Sequence, residues 1–161
     1  MKPENTFIAS VHRMLAPPPR PNMNIPVGLK NITRLHKEKM HNTFRSGTAD
    51  VWYSGRMDLW IEYKWVPRLG KKITPKLSPN QKLWLNGRWV EGRNVKVVVG
   101  SPNGCIVFRT PIEWLYGVEL SDAQVLTKAE IARWIEKECG LAGSQGHQSD
   151  QDTSTPLSST V

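Results

Sequence analysis

The chain has 161 residues, and its 22 Lys and Arg residues outnumber 14 Asp and Glu residues, for a net charge of +8. This length suits one domain, and a domain of about 140 residues buries roughly two-thirds of its unfolded surface without a disulfide or a structural metal. No stretch has the pattern of a signal peptide or of a membrane span, so we expect a cytoplasmic protein with no membrane partner. Cys105 and Cys139 lack metal-ligand spacing, and we expect both to be free thiols.

The first predicted element is a helix over Pro3–Leu15, where apolar residues recur at helical spacing. Glu4 lies in its first turn, where a carboxylate interacts favourably with the helix dipole. The segment "APPPRPNMNIP" ends this helix, because proline lacks the backbone N–H. Leu29–Asn42 is polar and rich in Lys and His, and we expect either a short helix or a loop there.

Two strands, Val51–Tyr53 and Asp58–Val66, are rich in β-branched and aromatic residues and flank the turn sequence "SGR". The basic segment "VPRLGKKITPK" follows as a predicted loop. A helix then begins at "LSPNQ" and ends near Gly92. Ser78 is its expected N-cap, and Gln81 completes a capping box.

The remaining predicted elements are strands over Val95–Val99 and Cys105–Phe108, a helical turn at "TPIEWL", and a last helix over Thr127–Cys139. The sequence from 143 to 161 has no aromatic residue and is rich in Ser, Thr and Gln, which predicts a disordered tail. We therefore expect one α/β domain over residues 1–142, with a mixed central sheet of about four strands flanked by helices.

Side chains alternate between the two faces of a strand, so the strand from Asp58 places its odd and even positions on opposite sides. The odd positions form a core face: Leu59, Ile61, Tyr63 and Trp65. The even positions place Glu62 and Lys64 next to each other on the other face. Trp60 shares that face, where it could stack on a base or cover a site.

The geometry of the hairpin indicates which aspartate lies close to Glu62. Asp58 is four residues from Glu62 on the same strand, about 13 Å away, which is too far for one metal ion to bind both. Folding the hairpin at Gly55 or Arg56 brings Asp50 opposite positions 60 to 62, on a neighbouring strand about 5 Å away. We therefore favour Asp50 as the partner of Glu62.

Two carboxylates with a nearby ammonium group suit hydrolysis of a phosphodiester. Mg²⁺ prefers oxygen ligands, and a bound Mg²⁺ can lower the pKa of a water molecule and stabilise charge on phosphate. Lys64 could then orient that water or stabilise the developing negative charge. The alternative is a surface strand on which Glu62 and Lys64 face solvent.

The ordered segments "GTAD", "WIEYK", "LSPNQKLWL" and "NVKVVVGS" resemble the PD-(D/E)XK nuclease superfamily, especially the small VRR-NUC type and related phage-encoded resolvase-like nucleases. The resemblance covers roughly residues 42–101 and implies a restriction-endonuclease-like fold. One departure is Ala49, which replaces the usual proline before the first aspartate.

The resemblance also implies the roles of individual residues. Asp50, Glu62 and the Tyr63 carbonyl would bind Mg²⁺ or Mn²⁺, Lys64 would be catalytic, and Gln81 would lie beside the site. Glu4 is either a further metal ligand or a first-turn acid without a catalytic role. Gln81 also has a capping role, and the two roles conflict if its side chain turns back to Ser78.

Basic residues dominate the segment from 63 to 96, where nine Lys and Arg residues face one acid, Glu91. Such clustering is typical of proteins that bind polyanions, and it predicts DNA as the partner. Arg45 flanks the loop that enters the Asp50 strand, and we expect it to contact a phosphate. His36 and His41 are expected to be solvated or to face phosphate. The other expected DNA contacts are Arg68, Lys71, Lys72, Lys76 and Lys82.

The sequence therefore predicts a Mg²⁺-dependent endonuclease that cuts DNA. It leaves the preferred DNA structure open between junctions, flaps and plain duplex, and selective cleavage of branched or junction DNA in phage metabolism is one candidate setting. Its location would be the host cytoplasm if a phage encodes it. A homodimer is an open expectation, because nucleases that cut two strands commonly act as dimers. The alternatives are a non-catalytic nucleic-acid-binding protein on the same scaffold, and a small inhibitor of an acidic host protein.

Overall fold

The structure, a computed structural model, describes residues 2–15, 35–40 and 47–141. Within those ranges, no helix is long and apolar enough to cross a membrane. Arg45, His41 and the tail from 143 to 161 lie outside the described residues. The elements in chain order are α1 (Pro3–Met14), β1 (His36–Lys39), β2 (Val51–Ser54), β3 (Asp58–Trp65), β4 (Lys72–Ile73), α2 (Pro79–Val90), β5 (Val95–Ser101), β6 (Gly104–Phe108), α3 (Pro111–Tyr116), β7 (Val118–Glu119) and α4 (Lys128–Glu138).

Five strands form the central sheet in the order β1-β2-β3-β5-β6, and β4 pairs with β7 in a separate two-stranded sheet. The β2–β3 hairpin is antiparallel, β3 and β5 are parallel, and β5 and β6 are antiparallel. The helix α2 makes the crossover between the two parallel strands, as parallel pairing requires. The predicted α/β fold with a mixed sheet flanked by helices is confirmed, with five strands where about four were expected.

Local hydrogen bonds explain why α2 and α4 begin where the sequence predicted. Ser78 and Gln81 form a reciprocal capping box at α2, and Thr127 and Glu130 form another at α4. Each pair satisfies backbone N–H groups that the first helical turn leaves unbonded. A third capping box, at Thr110, begins α3.

Three short strands differ from the sequence prediction. The described part of Leu29–Asn42 contains β1, which pairs with β2, rather than a helix or a loop. The predicted loop after Val66 contains β4, which pairs with β7. These strands lack apolar alternation, and their backbone hydrogen bonds to distant partners hold them in place.

The central sheet is covered on both faces. Leu59, Ile61 and Tyr63 are fully buried in one core cluster, together with residues of α1 and α4, as the odd-position prediction required. A second cluster on the other face contains Val97, Leu85 and neighbours from α3. Except for Asp58 at the exposed start of β3, the even positions of this strand therefore lie at a covered face.

The two cysteines are free, as predicted, and both are buried. Burial raises the pKa of Cys105 to about 11 and that of Cys139 to about 12. Both thiols are therefore protonated at neutral pH, and they contribute to packing in the first core cluster.

Candidate active site

The β2–β3 register places Asp50 next to Glu62. Val51 pairs with Ile61, so one further step along the hairpin sets Asp50 opposite Glu62. The Asp50 side chain turns toward β3, where its Oδ2 accepts a hydrogen bond of 2.8 Å from the Tyr63 backbone N–H. Asp58 lies at the other end of β3, is exposed, and pairs with Ser54.

The two carboxylate oxygens of Glu62 have different surroundings. Oε1 lies 2.8 Å from the Lys64 ammonium and also accepts a hydrogen bond from the Gln81 side-chain amide. Oε2 is buried and has no hydrogen-bond partner in the described part of the chain. The residue as a whole is 1% exposed, so the alternative of a solvent-facing strand is wrong for Glu62.

Gln81 caps α2 and contacts Glu62 at the same time. Its Oε1 accepts a hydrogen bond of 2.9 Å from the Ser78 backbone N–H, while its Nε2 donates to Glu62. The orientation of the amide follows from chemistry, because a backbone N–H requires an oxygen acceptor. The conflict between the two roles is therefore resolved, since each role uses a different end of the amide.

Burial and crowding of negative charge shift the carboxyl pKa values upward. Burial and the charge of Asp50 raise the pKa of Glu62 to about 7, although the hydrogen bond and charge of Lys64 oppose the shift. Burial also raises the pKa of Asp50, against the lowering effect of the Tyr63 hydrogen bond. Two adjacent carboxylates, one buried and one half-buried, are stabilised by a nearby cation.

Lys64 remains an ammonium ion in this setting. Burial lowers its pKa, but the hydrogen bond and charge of Glu62, together with the charges of Glu4 and Asp50, outweigh burial and raise it. Its side chain is 16% exposed, which leaves one side open to solvent. Lys64 is therefore a hydrogen-bond donor and a positive charge rather than a base at neutral pH.

Glu4 brings a third carboxylate into electrostatic range from α1. It is half-buried in the first turn, and its charge raises the pKa of both Asp50 and Glu62. Lys39 of β1 also acts on Asp50 and donates a hydrogen bond to Asn5 of the same helix turn. The start of α1 therefore borders the carboxylate pair.

The donor set fits a hard divalent cation. In the described ranges, no group of three or more His, Cys, Asp and Glu residues is close enough to hold a metal ion. Asp50 and Glu62 nevertheless supply two carboxylates, and the Glu62 Oε2 offers a lone pair that no donor among the described residues uses. Mg²⁺ commonly binds through one or two carboxylates and keeps several waters, so this small set suits it. Coordination by the Tyr63 carbonyl stays a prediction.

Trp60 belongs to a group of packed aromatic rings. The sequence indicated it alone, as a residue that could stack on a base or cover the site. Its ring packs against the second core cluster and contacts Trp84 of α2 at 5.7 Å between centroids. Trp52 stacks on Trp60, at 5.8 Å between centroids. Trp52 was missed, although applying strand alternation to β2 would have placed it opposite Trp60.

The expected DNA-contacting residues fall into two environments. Arg68, Lys71 and Lys76 are exposed along the segment between β3 and α2, and Lys82 is exposed in the first turns of α2. Lys72 is also exposed, but it borders a cavity of about 390 Å³ whose lining includes Glu113, Glu119 and Asp122. His36 is exposed on the edge strand and lies 3.7 Å from Glu38.

Comparison with known proteins found a distant likeness among solved structures. No family model matches the chain, and no curated protein matches it. A structural search finds Archaeoglobus fulgidus Hjc, described as a Holliday junction resolvase from an archaeal hyperthermophile, with 17% sequence identity and a TM-score of 0.43. The match covers 63% of this chain and 87% of that one.

Proposed function

We propose that this protein is a Mg²⁺-dependent endonuclease of the PD-(D/E)XK type that hydrolyses phosphodiester bonds in DNA. The observation that supports this most directly is Glu62, a carboxylate that is 1% exposed and whose Oε2 has no hydrogen-bond partner in the part of the chain that the structure describes. An unsatisfied buried group of this kind costs on the order of 1–3 kcal/mol and calls for an explanation, which a cation ligand would provide.

Asp50, Glu62 and the Tyr63 carbonyl would hold Mg²⁺ or Mn²⁺, and Glu4 is a candidate for a further ligand. When bound, the cation would lower the pKa of a water and neutralise charge on the phosphate. The protein supports this arrangement through two contacts. The Tyr63 N–H holds one oxygen of Asp50, and Gln81 holds Oε1 of Glu62 so that Oε2 stays available.

Lys64 would act on the phosphate and the attacking water as a fixed positive charge. Its ammonium group is held by Glu62 at 2.8 Å and keeps its proton. In this position it can donate a hydrogen bond to the water oxygen and orient it, and it can stabilise negative charge that develops in the transition state. A role as general base does not fit its raised pKa.

The DNA backbone would lie along the exposed basic residues that follow β3. Arg68, Lys71, Lys76 and Lys82 are exposed in this segment, and Lys72 and Arg45 complete the proposed set. Such contacts would position the strand without reading its sequence. The family resemblance and general expectation also suggest four further properties. These are a preference for branched or junction DNA, a phage setting, a cytoplasmic location and a homodimer.

The test is cleavage of plasmid, junction, flap and duplex DNA in the presence of Mg²⁺. Asp50→Asn, Glu62→Ala and Lys64→Ala should each lower the rate at least 100-fold, in line with loss of a metal ligand or a transition-state donor. Asp58→Asn is the matched control, because it removes an acid from the same hairpin without touching the site. Activity that survives both Glu62→Ala and Lys64→Ala would refute the assignment.

Calorimetry with Mg²⁺, Mn²⁺ or Ca²⁺ gives a readout that does not depend on catalysis. Wild type and Asp58→Asn should bind the cation, whereas Asp50→Asn and Glu62→Ala should not. DNA binding without any cation binding would instead favour the alternative, a non-catalytic nucleic-acid-binding protein on this scaffold.

A further inference from the structure

Four rings form a continuous row across one face of the sheet. His36 contacts Trp52 at 5.4 Å between centroids, Trp52 stacks on Trp60 at 5.8 Å, and Trp60 contacts Trp84 at 5.7 Å. We call these four residues the aromatic row. It begins at the edge strand β1, crosses β2 and β3, and ends on α2.

The aromatic row lies immediately beside the carboxylate pair. Trp52 and Trp60 are register partners, and the next pair of residues on the same face is Asp50 and Glu62. Two residues along a strand correspond to about 7 Å. A base on the aromatic row and a phosphate at the two carboxylates could therefore belong to neighbouring nucleotides of one DNA strand.

The outer end of the row is not used by the protein core. Trp60 and Trp84 pack against the second core cluster, whereas Trp52, within the described ranges, belongs to neither cluster. Trp52 is half-buried, and its buried indole N–H has no hydrogen-bond partner among the described residues. The His36 side chain at the end of the row is 61% exposed.

We infer that the aromatic row binds an unpaired base of the DNA strand whose phosphate lies at Asp50 and Glu62. Every base has a π-face that can stack on Trp or His, whereas a base inside a continuous duplex is already stacked on its neighbours. The net charge of +8 and the ammonium of Lys64 on the same face favour an anionic ligand. Glu38 is the register partner of Trp52 on β1. Its negative charge disfavours a phosphate at the outer end of the row, so a base rather than a phosphate would lie there.

This inference rests on the proposed nuclease function and names its substrate class: DNA with an unpaired nucleotide at the cut, such as a flap or a single strand. Intact duplex would be a poorer substrate, because opening a base pair costs free energy before stacking on the row can recover it.

The test is fluorescence anisotropy with labelled oligo(dT) and a labelled hairpin duplex, in EDTA so that no cleavage occurs. Trp52→Ala should weaken oligo(dT) binding about 5- to 150-fold, as expected for loss of one stacked base, with a change of less than about twofold for duplex. Trp52→Phe should retain most of the affinity. Trp89→Ala is the matched control, because Trp89 is a partly exposed tryptophan outside the row, at the other end of α2.

His36→Ala provides a variant with little risk to folding, since its side chain is largely exposed. It should weaken oligo(dT) binding in the same direction as Trp52→Ala. Equal oligo(dT) affinity in wild type, Trp52→Ala and His36→Ala would overturn the inference. So would an equal proportional loss for oligo(dT) and duplex.

Cleavage separates failure of this inference from failure of the proposed function. If flap and intact duplex are cut equally fast, and Trp52→Ala cuts both like wild type, the aromatic row has no substrate role while the nuclease assignment stands. If no DNA is cut but oligo(dT) binding still depends on Trp52, the nuclease assignment fails while the binding surface stands.

Discussion

A carboxylate that loses water and lies next to a second carboxylate holds its proton more tightly, and Glu62 meets both conditions. Its neighbours satisfy one oxygen through Lys64 and Gln81 and leave the other unpaired. A residue that served stability alone would have both oxygens bonded, or would be replaced by an apolar side chain of similar size. The arrangement is better explained by a ligand for the free oxygen.

The raised pKa of Glu62 predicts a pH-dependent stability in the absence of metal. The pKa rises from the ordinary 4.5 to about 7 on folding, so the native state binds more protons than the unfolded state between these values. The free energy of unfolding should therefore be highest below about pH 4.5 and fall as pH rises to about 7, by up to about 3 kcal/mol.

Urea denaturation in EDTA at several values between pH 5 and pH 8 measures this dependence. Glu62→Gln cannot ionise, so its stability should depend less on pH over the same range. The difference between the two curves isolates Glu62 from other groups that titrate. Parallel curves for wild type and Glu62→Gln would show that the Glu62 pKa is ordinary.

At the scale of elements, the start of α2 links helix capping to the site. Gln81 is the third residue of the helix, and its amide spans the distance from Ser78 to Glu62. The chain that leads to Asp50 also lies against this helix turn. A Cβ on Gly47 would stand 2.6 Å from the Asn80 carbonyl oxygen. The hairpin and the helix are therefore positioned against each other at the point where the carboxylates meet.

Gln81→Glu separates the two roles of Gln81. The new carboxylate still accepts from the Ser78 N–H and suits the helix N-terminus, so the cap is kept. The donor to Glu62 is lost, however, and a negative charge replaces it. We expect unchanged helix content by circular dichroism, cleavage slowed at least 10-fold, and a rate–pH profile whose lower midpoint moves to higher pH. Behaviour identical to wild type would mean that Gln81 only caps the helix.

Gly47→Ala should destabilise the protein. Gly47 has a φ of 107°, which L side chains rarely adopt, and an added Cβ would collide with the Asn80 backbone. We expect a loss on the order of 1–3 kcal/mol by urea denaturation. Gly87→Ala, inside α2 with nothing within 4 Å of the added Cβ, is the matched control and should stabilise by about 0.5–1 kcal/mol. Equal effects of the two substitutions would contradict this account.

The elements that the sequence predicted are those that local chemistry defines. The capping boxes at Ser78 and Thr127 use contacts three residues apart, and the alternation along β3 identifies its core face directly. By contrast, β1, β4 and β7 are two to four residues long and form through backbone bonds to distant segments. No local pattern encodes those partners.

The same distinction holds within the candidate site. Hairpin geometry was enough to bring Asp50 toward Glu62, because both residues belong to one local unit. The contact from Gln81, the burial of Glu62 and the stacking of Trp52 depend on how α2 and the hairpin pack against the sheet. Packing of that kind is set by the tertiary fold, so the sequence of one strand could not exclude the alternative of a solvent-facing Glu62.

At the scale of the whole molecule, the positive charge is distributed unevenly with respect to the site. Arg68, Lys71, Lys76 and Lys82 lie in the segment that runs from the end of β3 into the first turns of α2, and both of these ends contribute residues to the site. Lys72 is adjacent to Lys71 in sequence, yet it borders a cavity with three carboxylates. Neighbouring lysines should therefore contribute differently to DNA binding, even though they add equally to the net charge.

The salt dependence of DNA binding tests this distribution. Each phosphate contact that is lost should reduce the slope of log K against log[salt] by about 0.9 for duplex DNA. Lys71→Ala should reduce the slope by this amount. The double variant with Lys71→Ala and Lys76→Ala should reduce it by about twice as much. Lys72→Ala is the matched comparison and should change the slope less, because three carboxylates line the cavity that Lys72 borders. Anisotropy titrations between 50 and 200 mM salt in EDTA provide the measurement. Equal slopes for Lys71→Ala and Lys72→Ala would mean that DNA binding reflects net charge alone and not the position of the basic residues beside the site.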